Sequence, residues 1–418
     1  MNYNSKTIYW LSISIVFFML YFRSWFPGAK VMWGKEYYLI LFICLCVIII
    51  NFNINKFVNF SFSAKTFEVK IIYLLFFILC ISVFVYNTQE ITKAEYLSAT
   101  IGYLTYFFLF FVLIPQFFES NPNYFEKFVK FISNLGFFTA VFGLFTMNAW
   151  EGVTANVVVA YITHPNNTSI IFTMTSIFTV YYYYAKKDEF SVYSKIFYIS
   201  SIIVQLIAQL FTYTRAGYIA TFVALLFFIV IAKGKKSLTL VPILLVIVPV
   251  WGVAFFTTKG FSSFISRFYL LIPFYNMIME KKTNFLWGFG ITESHKLYRI
   301  NLLNFNANEV KIVDPHNSYA SLILMFGIIF TAVLLLFIFI LLFKNTVKAL
   351  RSKNQNERLY FTFLVTFIMS LMIQGMFDSE VIKPLYFSMQ FFLIFCGLMY
   401  LNTKKYFEYR KIIIHNNE

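Results

Sequence analysis

The chain reads as an all-α integral membrane protein of about twelve transmembrane helices, with one large extracytoplasmic loop between helices nine and ten. Three observations predict this. Hydrophobic residues make up 60% of the 418 positions and charged ones only 12%, in separate apolar runs of bilayer-spanning length. Basic residues collect in alternate connections. A single segment, 257–315, is long and polar in an otherwise apolar chain.

In chain order, the runs that fit a span are 7–23, 37–53, 70–86, 97–118, 127–147, 167–185, 195–213, 216–232, 237–256, 317–343, 359–377 and 384–402. The first has only Lys6 before it and no small-residue cleavage site after it, which marks a retained helix rather than a removed signal peptide. Helices seven and eight come from one stretch, since Arg215 is the only charged residue between Phe197 and Ala232. A tight turn at Thr212-Tyr213-Thr214-Arg215-Ala216-Gly217 divides it, with Gly217 expected to let the backbone bend. Each half has only about 18 residues, barely enough to span, so the turn and its arginine are expected below the membrane surface.

Helix ten follows Asp314-Pro315-His316-Asn317-Ser318-Tyr319. Pro315 pushes Asp314 out of helical geometry, and Asp314, Asn317 or Ser318 can cap the span. The first-turn N–H groups and positive dipole end then face a space where an anionic group can dock, with His316 beside it. Helix eight also begins on this side, at Arg215, which allows the two helix starts to converge. After helix eleven, Asp378-Ser379-Glu380 reads as a solvated turn, or else as a site for sugar hydroxyls. Residues 403–418 form a basic cytoplasmic tail. No internal repeat, low-complexity tract or soluble domain interrupts residues 1–418, which read as one polytopic membrane domain.

Orientation follows from the basic residues. With both termini cytoplasmic, 21 of the 34 Lys and Arg lie inside, and seven of the remainder lie in the long loop (Lys259, Arg267, Lys281, Lys282, Lys296, Arg299, Lys311). The loop therefore faces outward. The net charge of +16 is mostly this topology signal plus attraction to anionic lipid headgroups, so nucleic-acid binding is not implied. All four cysteines, Cys44, Cys46, Cys80 and Cys396, fall inside apolar spans, where a small buried hydrophobe is the default. No Cys/His ligand spacing points to a metal, and no cofactor is expected.

Arg215 carries the strongest membrane logic. An ionisable side chain at that depth faces protein or a wet cavity and is functional by default; otherwise it snorkels to the interface as an anchor. Gln205 and Gln209 put a polar stripe on the helix leading to it, or serve as glue between helices. His316 is a candidate base or an interfacial residue at a helix start. In the loop, Trp287, Phe289, Tyr298, Tyr275 and Phe274 either stack on sugar rings or isoprene units or anchor the interface. Gly288 and Gly290 shape a turn.

Thr-x-Thr-Arg-x-Gly at 212–217, Trp-Gly-Phe-Gly at 287–290 and Pro-His-Asn-Ser-Tyr followed by Phe-Gly at 315–327 together resemble the bacterial O-antigen ligases and O-antigen or capsule polymerases. His164-Pro165-Asn166-Asn167 is similar to a Pro-Asn element of the same family. The resemblance covers roughly 140–380 and implies a GT-C-like glycosyltransferase acting at the outer face of a bacterial plasma membrane. It implies a donor glycan on undecaprenyl pyrophosphate, an acceptor hydroxyl on a glycan or a lipid A core, and neither nucleotide sugar nor metal. Chain-length regulators or flippases are the protein partners it implies. The family's pyrophosphate-holding arginines map onto Arg215 and Arg267, with Arg299 as competitor to the latter, and its histidine maps onto His316. Asn317, Glu293 and Trp287 complete the candidate set.

The residue chemistry fits. Breaking a glycosyl–phosphate bond builds charge on the leaving pyrophosphate, which fixed guanidinium groups stabilise best in a low-dielectric site. A base of near-neutral pKa such as His316 assists the attacking hydroxyl, with Glu293 as an alternative base or a solvated loop carboxylate. Asp188, Asp314 and Asp378 stand isolated, so no aspartate pair is available to hold a metal-bound diphosphate. The leading expectation is a polymerase of lipid-linked repeat units, the neighbouring one a ligase. From another class comes a transporter or flippase of an anionic lipid-linked glycan, against which stands the absence of paired halves with matching Gly/Pro-interrupted helices.

Overall fold

A computed structural model describes residues 108–120, 122–149, 156–158, 165–233, 269–280, 282–305, 315–378, 381 and 387–401. The expected spans 7–23, 37–53, 70–86 and 237–256, Arg267, Asp314, Ser379, Glu380 and the 403–418 tail lie outside the described residues.

A π-helical turn, Phe108–Leu113, leads into α1 (Ile114–Ser120). The helices that follow are α2 (Pro122–Phe145), α3 (Pro165–Lys186), α4 (Val192–Leu210), α5 (Arg215–Lys233), α6 (Leu271–Glu280), α7 (Lys282–Trp287), α8 (Ile291–Phe305), α9 (Ser318–Arg351), α10 (Gln355–Gly375) and α11 (Phe387–Tyr400). Between α2 and α3, β1 (Asn148–Ala149) pairs antiparallel with β2 (Asn156–Val157), Asn148 opposite Val157. Among the described residues five helices are long and apolar enough to cross a membrane: α2, α4, α5, α9 and α10. The described architecture is consistent with an integral membrane protein, and the described starts of α2, α3, α4, α5, α9, α10 and α11 lie within five residues of those the sequence predicts.

Two expected spans depart from that pattern: 384–402 corresponds to α11, only 14 residues long, and 167–185 to α3. Helix α3, at 167–185 of the prediction, is 22 residues long yet is not among the five. Thr168, Ser169, Thr173, Thr175, Ser176 and Thr179 are at most 4% exposed along it. It packs against α2, α4, α5 and α10, so it needs no lipid-facing side. Three of its buried hydroxyls return to the helix itself: Thr173 donates to Ser169 O (3.0 Å), Thr175 to Ile171 O (2.9 Å) and Thr179 to Thr175 O (2.8 Å).

Aromatic packing joins α3 and α10 to α11. Tyr181 stacks on Phe363 at 4.2 Å and Phe367 on Phe395 at 4.1 Å, with Phe178 edge-on to Phe363, Phe367 and Phe391. One end of this bundle is basic. There Lys186 pairs with Glu126 and Glu189, each at 2.8 Å, and Lys127, Lys187 and Lys348 lie over Tyr124, Tyr184 and Phe361. Arg358 donates to Ser352 O (2.8 Å) in the α9–α10 connection at the same end. The turns before α3, α5 and α9 fall at the opposite end.

The 34-residue α9 is not continuous. Gly327 has φ 82° and ψ 169°, a conformation essentially confined to glycine, which splits the helix into Ser318–Phe326 and a longer inner part. The Trp287–Gly290 segment docks into this break. Phe289 N–H donates to Leu324 O (2.6 Å) and Gly290 N–H to Met325 O (3.1 Å). The expected turn is present, with Gly288 at φ 87° and Gly290 at φ 80°, but it is half of an interlock rather than a free loop. A Cβ on Gly288 would lie 2.5 Å from Met325 O, and one on Gly327 2.2 Å from Leu286 O. A satellite core of Leu270, Met277, Phe289, Tyr298 and Leu302 closes over Leu324, and Tyr298 donates to Leu270 O (2.7 Å).

Candidate functional site

The α4–α5 turn is made by Tyr213, not by the glycine expected to do so. Tyr213 takes φ 51°, while Thr212 donates to Gln209 O (2.8 Å) and Thr214 O accepts from Tyr218 N–H, opening α5 at Arg215. The Tyr218 hydroxyl reaches back to Leu210 O and ties the two helix ends together. Gly217 sits inside the first turn of α5, where its missing side chain matters for contact. A Cβ there would lie 1.7 Å from Ser169 Oγ and 2.2 Å from Gln209 Nε2.

Ser169 is the hub of this end. Its Oγ accepts from Gln209 Nε2 (2.9 Å) and Gln374 Nε2 (3.5 Å), linking α3, α4 and α10 where α5 begins. Gln205, fully buried, donates to Thr179 Oγ1 and Ser201 Oγ (both 3.0 Å). The two glutamines are therefore glue between helices, the second of the readings their spacing allowed, since both amides are spent on buried hydroxyls. Thr214 Oγ1 bonds Asn166 Oδ1 at 3.5 Å, bringing the Pro165-Asn166-Asn167 element to the same turn. Pro165 opens α3, where a missing N–H costs nothing. His164 lies outside the described residues.

The start of α9 arrives from the other side of α10. Asn317 is the cap: its Oδ1 accepts from Tyr319 N (2.9 Å) and Ala320 N (3.0 Å), and its Nδ2 donates to Met376 O (2.8 Å). Ser318 Oγ donates to Asp378 O (2.6 Å) and the Tyr319 hydroxyl to Met372 O (2.7 Å). Two of the first-turn N–H groups expected to greet an anion are thus occupied by Asn317. His316 stands beside this helix start, partly buried at φ 47°. Asp378 is also corrected: it is 2% exposed, against the solvated turn its sequence suggested.

The chain Arg215–Gly217–Ser169–Gln374–Met376–Asn317 therefore brings the starts of α5 and α9 to one end of the bundle, on either side of the α10 terminus. Arg215, Asn317 and His316 share that end. Trp287 closes α7 beside the Gly327 break and is 41% exposed. Arg299 is exposed on α8, whose neighbour Tyr298 turns into the satellite core. Glu293 lies in α8. Ser169, Gln374 and Asp378 were not singled out as partners by the sequence reading. The signal was there for two of them: Gln374 and Asp378 stand four apart at the end of an otherwise apolar run. Arg215 and His316 give the site one fixed cation and one titratable base, beside an acidic residue at the same end. That set suits stabilising a leaving anion and taking up a proton.

Residues 200–335, from the middle of α4 to the inner part of α9, match the family model described as O-antigen ligase. The match supports the O-antigen ligase/polymerase family. Its span holds Arg215, the Trp287–Gly290 interlock and His316, and is shorter than the 140–380 the motifs suggested. Members of that family are glycosyltransferase-like enzymes. No curated protein and no solved structure matches the chain.

Proposed function

We propose that the protein is a polysaccharide polymerase that transfers an undecaprenyl-pyrophosphate-linked oligosaccharide to a hydroxyl of an acceptor glycan at the outer face of the inner membrane. In this reading residues 1–418 form about twelve spans with both termini cytoplasmic, and 257–315 is the outward loop. The observation that carries it is the meeting of the α5 and α9 starts at the α10 terminus, with Arg215 and His316 at the same end.

The acceptor hydroxyl attacks the anomeric carbon as the bond from that carbon to the phosphate oxygen breaks. Undecaprenyl pyrophosphate leaves with the electron pair. Arg215, with Arg267 or Arg299, neutralises the growing charge, and His316 takes the hydroxyl proton. Asn317 holds the helix start that presents His316, Glu293 is the alternative base, and Trp287 offers an aromatic face to a sugar or isoprene unit. No metal or cofactor enters this scheme.

A ligase that moves glycan to a lipid A core shares the donor chemistry, and the family match is common to both readings. Purified full-length protein in proteoliposomes, given defined lipid-linked repeat units, separates the two. A ladder of extended lipid-linked products supports the polymerase. Transfer only when lipid A core is added supports the ligase, and movement of intact donor across the bilayer without new linkages would replace both with a transporter.

A further inference from the structure

We propose that the Leu286–Trp287 corner of the long loop is inserted into the bilayer and contacts lipid acyl chains on the motif side of the membrane. The loop is then re-entrant rather than wholly aqueous. This goes beyond the glycosyl-transfer reading and rests only on α9 and α5 crossing the membrane.

Depth is fixed by the interlock. Gly327 lies nine residues into α9 from Ser318, about 14 Å along a helix axis. Ser318 is level with the bilayer edge for a separate reason. Ser318 and Asn317 bond Asp378 and Met376, whereas Gln374, one turn inward on α10, bonds Ser169 beside Gly217 in the first turn of α5. The starts of α5 and α9 are thus within about one turn of each other. Helix α5 runs uncharged from Ala216 to Ala232, about 26 Å, close to the roughly 30 Å of a hydrocarbon core. Arg215 therefore marks one edge of that core, and Gly327 lies on the order of 8–14 Å below it.

Backbone at that depth has no water to bond, so it must be satisfied by protein. It is: the N–H groups of Phe289 and Gly290 bond the carbonyls of Leu324 and Met325 at the break. Leu286 is pinned at the same level, since its carbonyl lies against Gly327. Yet Leu286 is 44% and Trp287 41% exposed. Two large apolar side chains held against a transmembrane helix and left uncovered match the lipid-facing flank of α9, where Leu336 and Phe339 are 50% and 60% exposed. The rest of the turn faces inward, with Phe289 at 3%.

The test is spin labelling of the full chain with its four cysteines replaced, reconstituted in nanodiscs. Single cysteines at Leu286 and Trp287 are compared with a lipid reference at Phe339 and an aqueous one at Lys353, which is exposed in the α9–α10 connection. Labels at 286 and 287 should collide with oxygen more than with a polar nickel chelate, as at Phe339. Preferential collision with the chelate, as at Lys353, overturns the proposal. Access to neither overturns it too, because protein would then cover the corner. Should the labelled variants fold poorly, brominated phospholipid gives a second reading on unlabelled protein. Quenching of total tryptophan fluorescence should drop measurably in Trp287→Phe, and an unchanged quenched fraction rejects the insertion.

Discussion

Arg215 and Asn317 show how single residues divide the labour at this end of the bundle. Asn317 spends its side-chain oxygen on two backbone N–H groups and its amide on Met376 O, so it fixes a helix start rather than meeting a ligand. Asn317→Ala should cost about 1–2 kcal/mol from the lost cap and lower the midpoint of thermal unfolding in detergent. Arg215 is different, because its planar fork suits a pyrophosphate in a way an ammonium does not. Arg215→Lys should lose most activity in the polymer-ladder assay while expression and membrane insertion stay near normal; full activity would reduce Arg215 to an interface anchor. For His316 the expectation is kinetic. A general base contributes about 10²–10⁴-fold, so His316→Ala should cut kcat by that factor and leave KM for the lipid donor largely unchanged. If KM rises with kcat preserved, His316 is a phosphate contact and Glu293 is the base to test next.

At the scale of elements, two glycines separate close approach from backbone conformation. Gly217 abuts the ends of two side chains, Ser169 Oγ and Gln209 Nε2, which turn away only by giving up their mutual hydrogen bond. Gly217→Ala should therefore destabilise by about 1–3 kcal/mol through overpacking, with some relief from those rotations. Gly327 abuts the backbone of Leu286 and Gly288 and sits at φ 82°, ψ 169°. There the strain of a left-handed extended conformation, on the order of 1–3 kcal/mol, adds to a clash that no rotamer relieves. Gly327→Ala should be the more damaging of the two, read as the larger fall in thermal midpoint. It should also release the loop, giving faster limited proteolysis within 269–305 than in Gly217→Ala.

For the whole molecule, the proposed chemistry needs charge from arginine alone. Polymer formation should continue in excess chelator, because Asp188, Asp314 and Asp378 are the only aspartates and stand far apart along the sequence, so no aspartate pair of the kind that holds a metal-bound diphosphate is available. Loss in chelator with rescue by Mg²⁺ would overturn that. The sequence by itself determined the helical membrane character, the starts of α5 and α9 near Arg215 and Ser318, and the clustering of Lys127, Lys186, Lys187 and Lys348 at one end. Apolar run length and charge placement are local quantities, and the bilayer imposes them residue by residue. What only the tertiary structure decided involves partners distant in the chain. Ser169 meets Gln374 across 205 positions, Asp378 is buried behind Ser318, and Gly288 meets Gly327 backbone to backbone. Periodicity shows which side of a helix is apolar, but a glycine reads the same in a turn, in a helix contact and at a break. Which of these it serves is set by the atoms that would collide with its missing side chain.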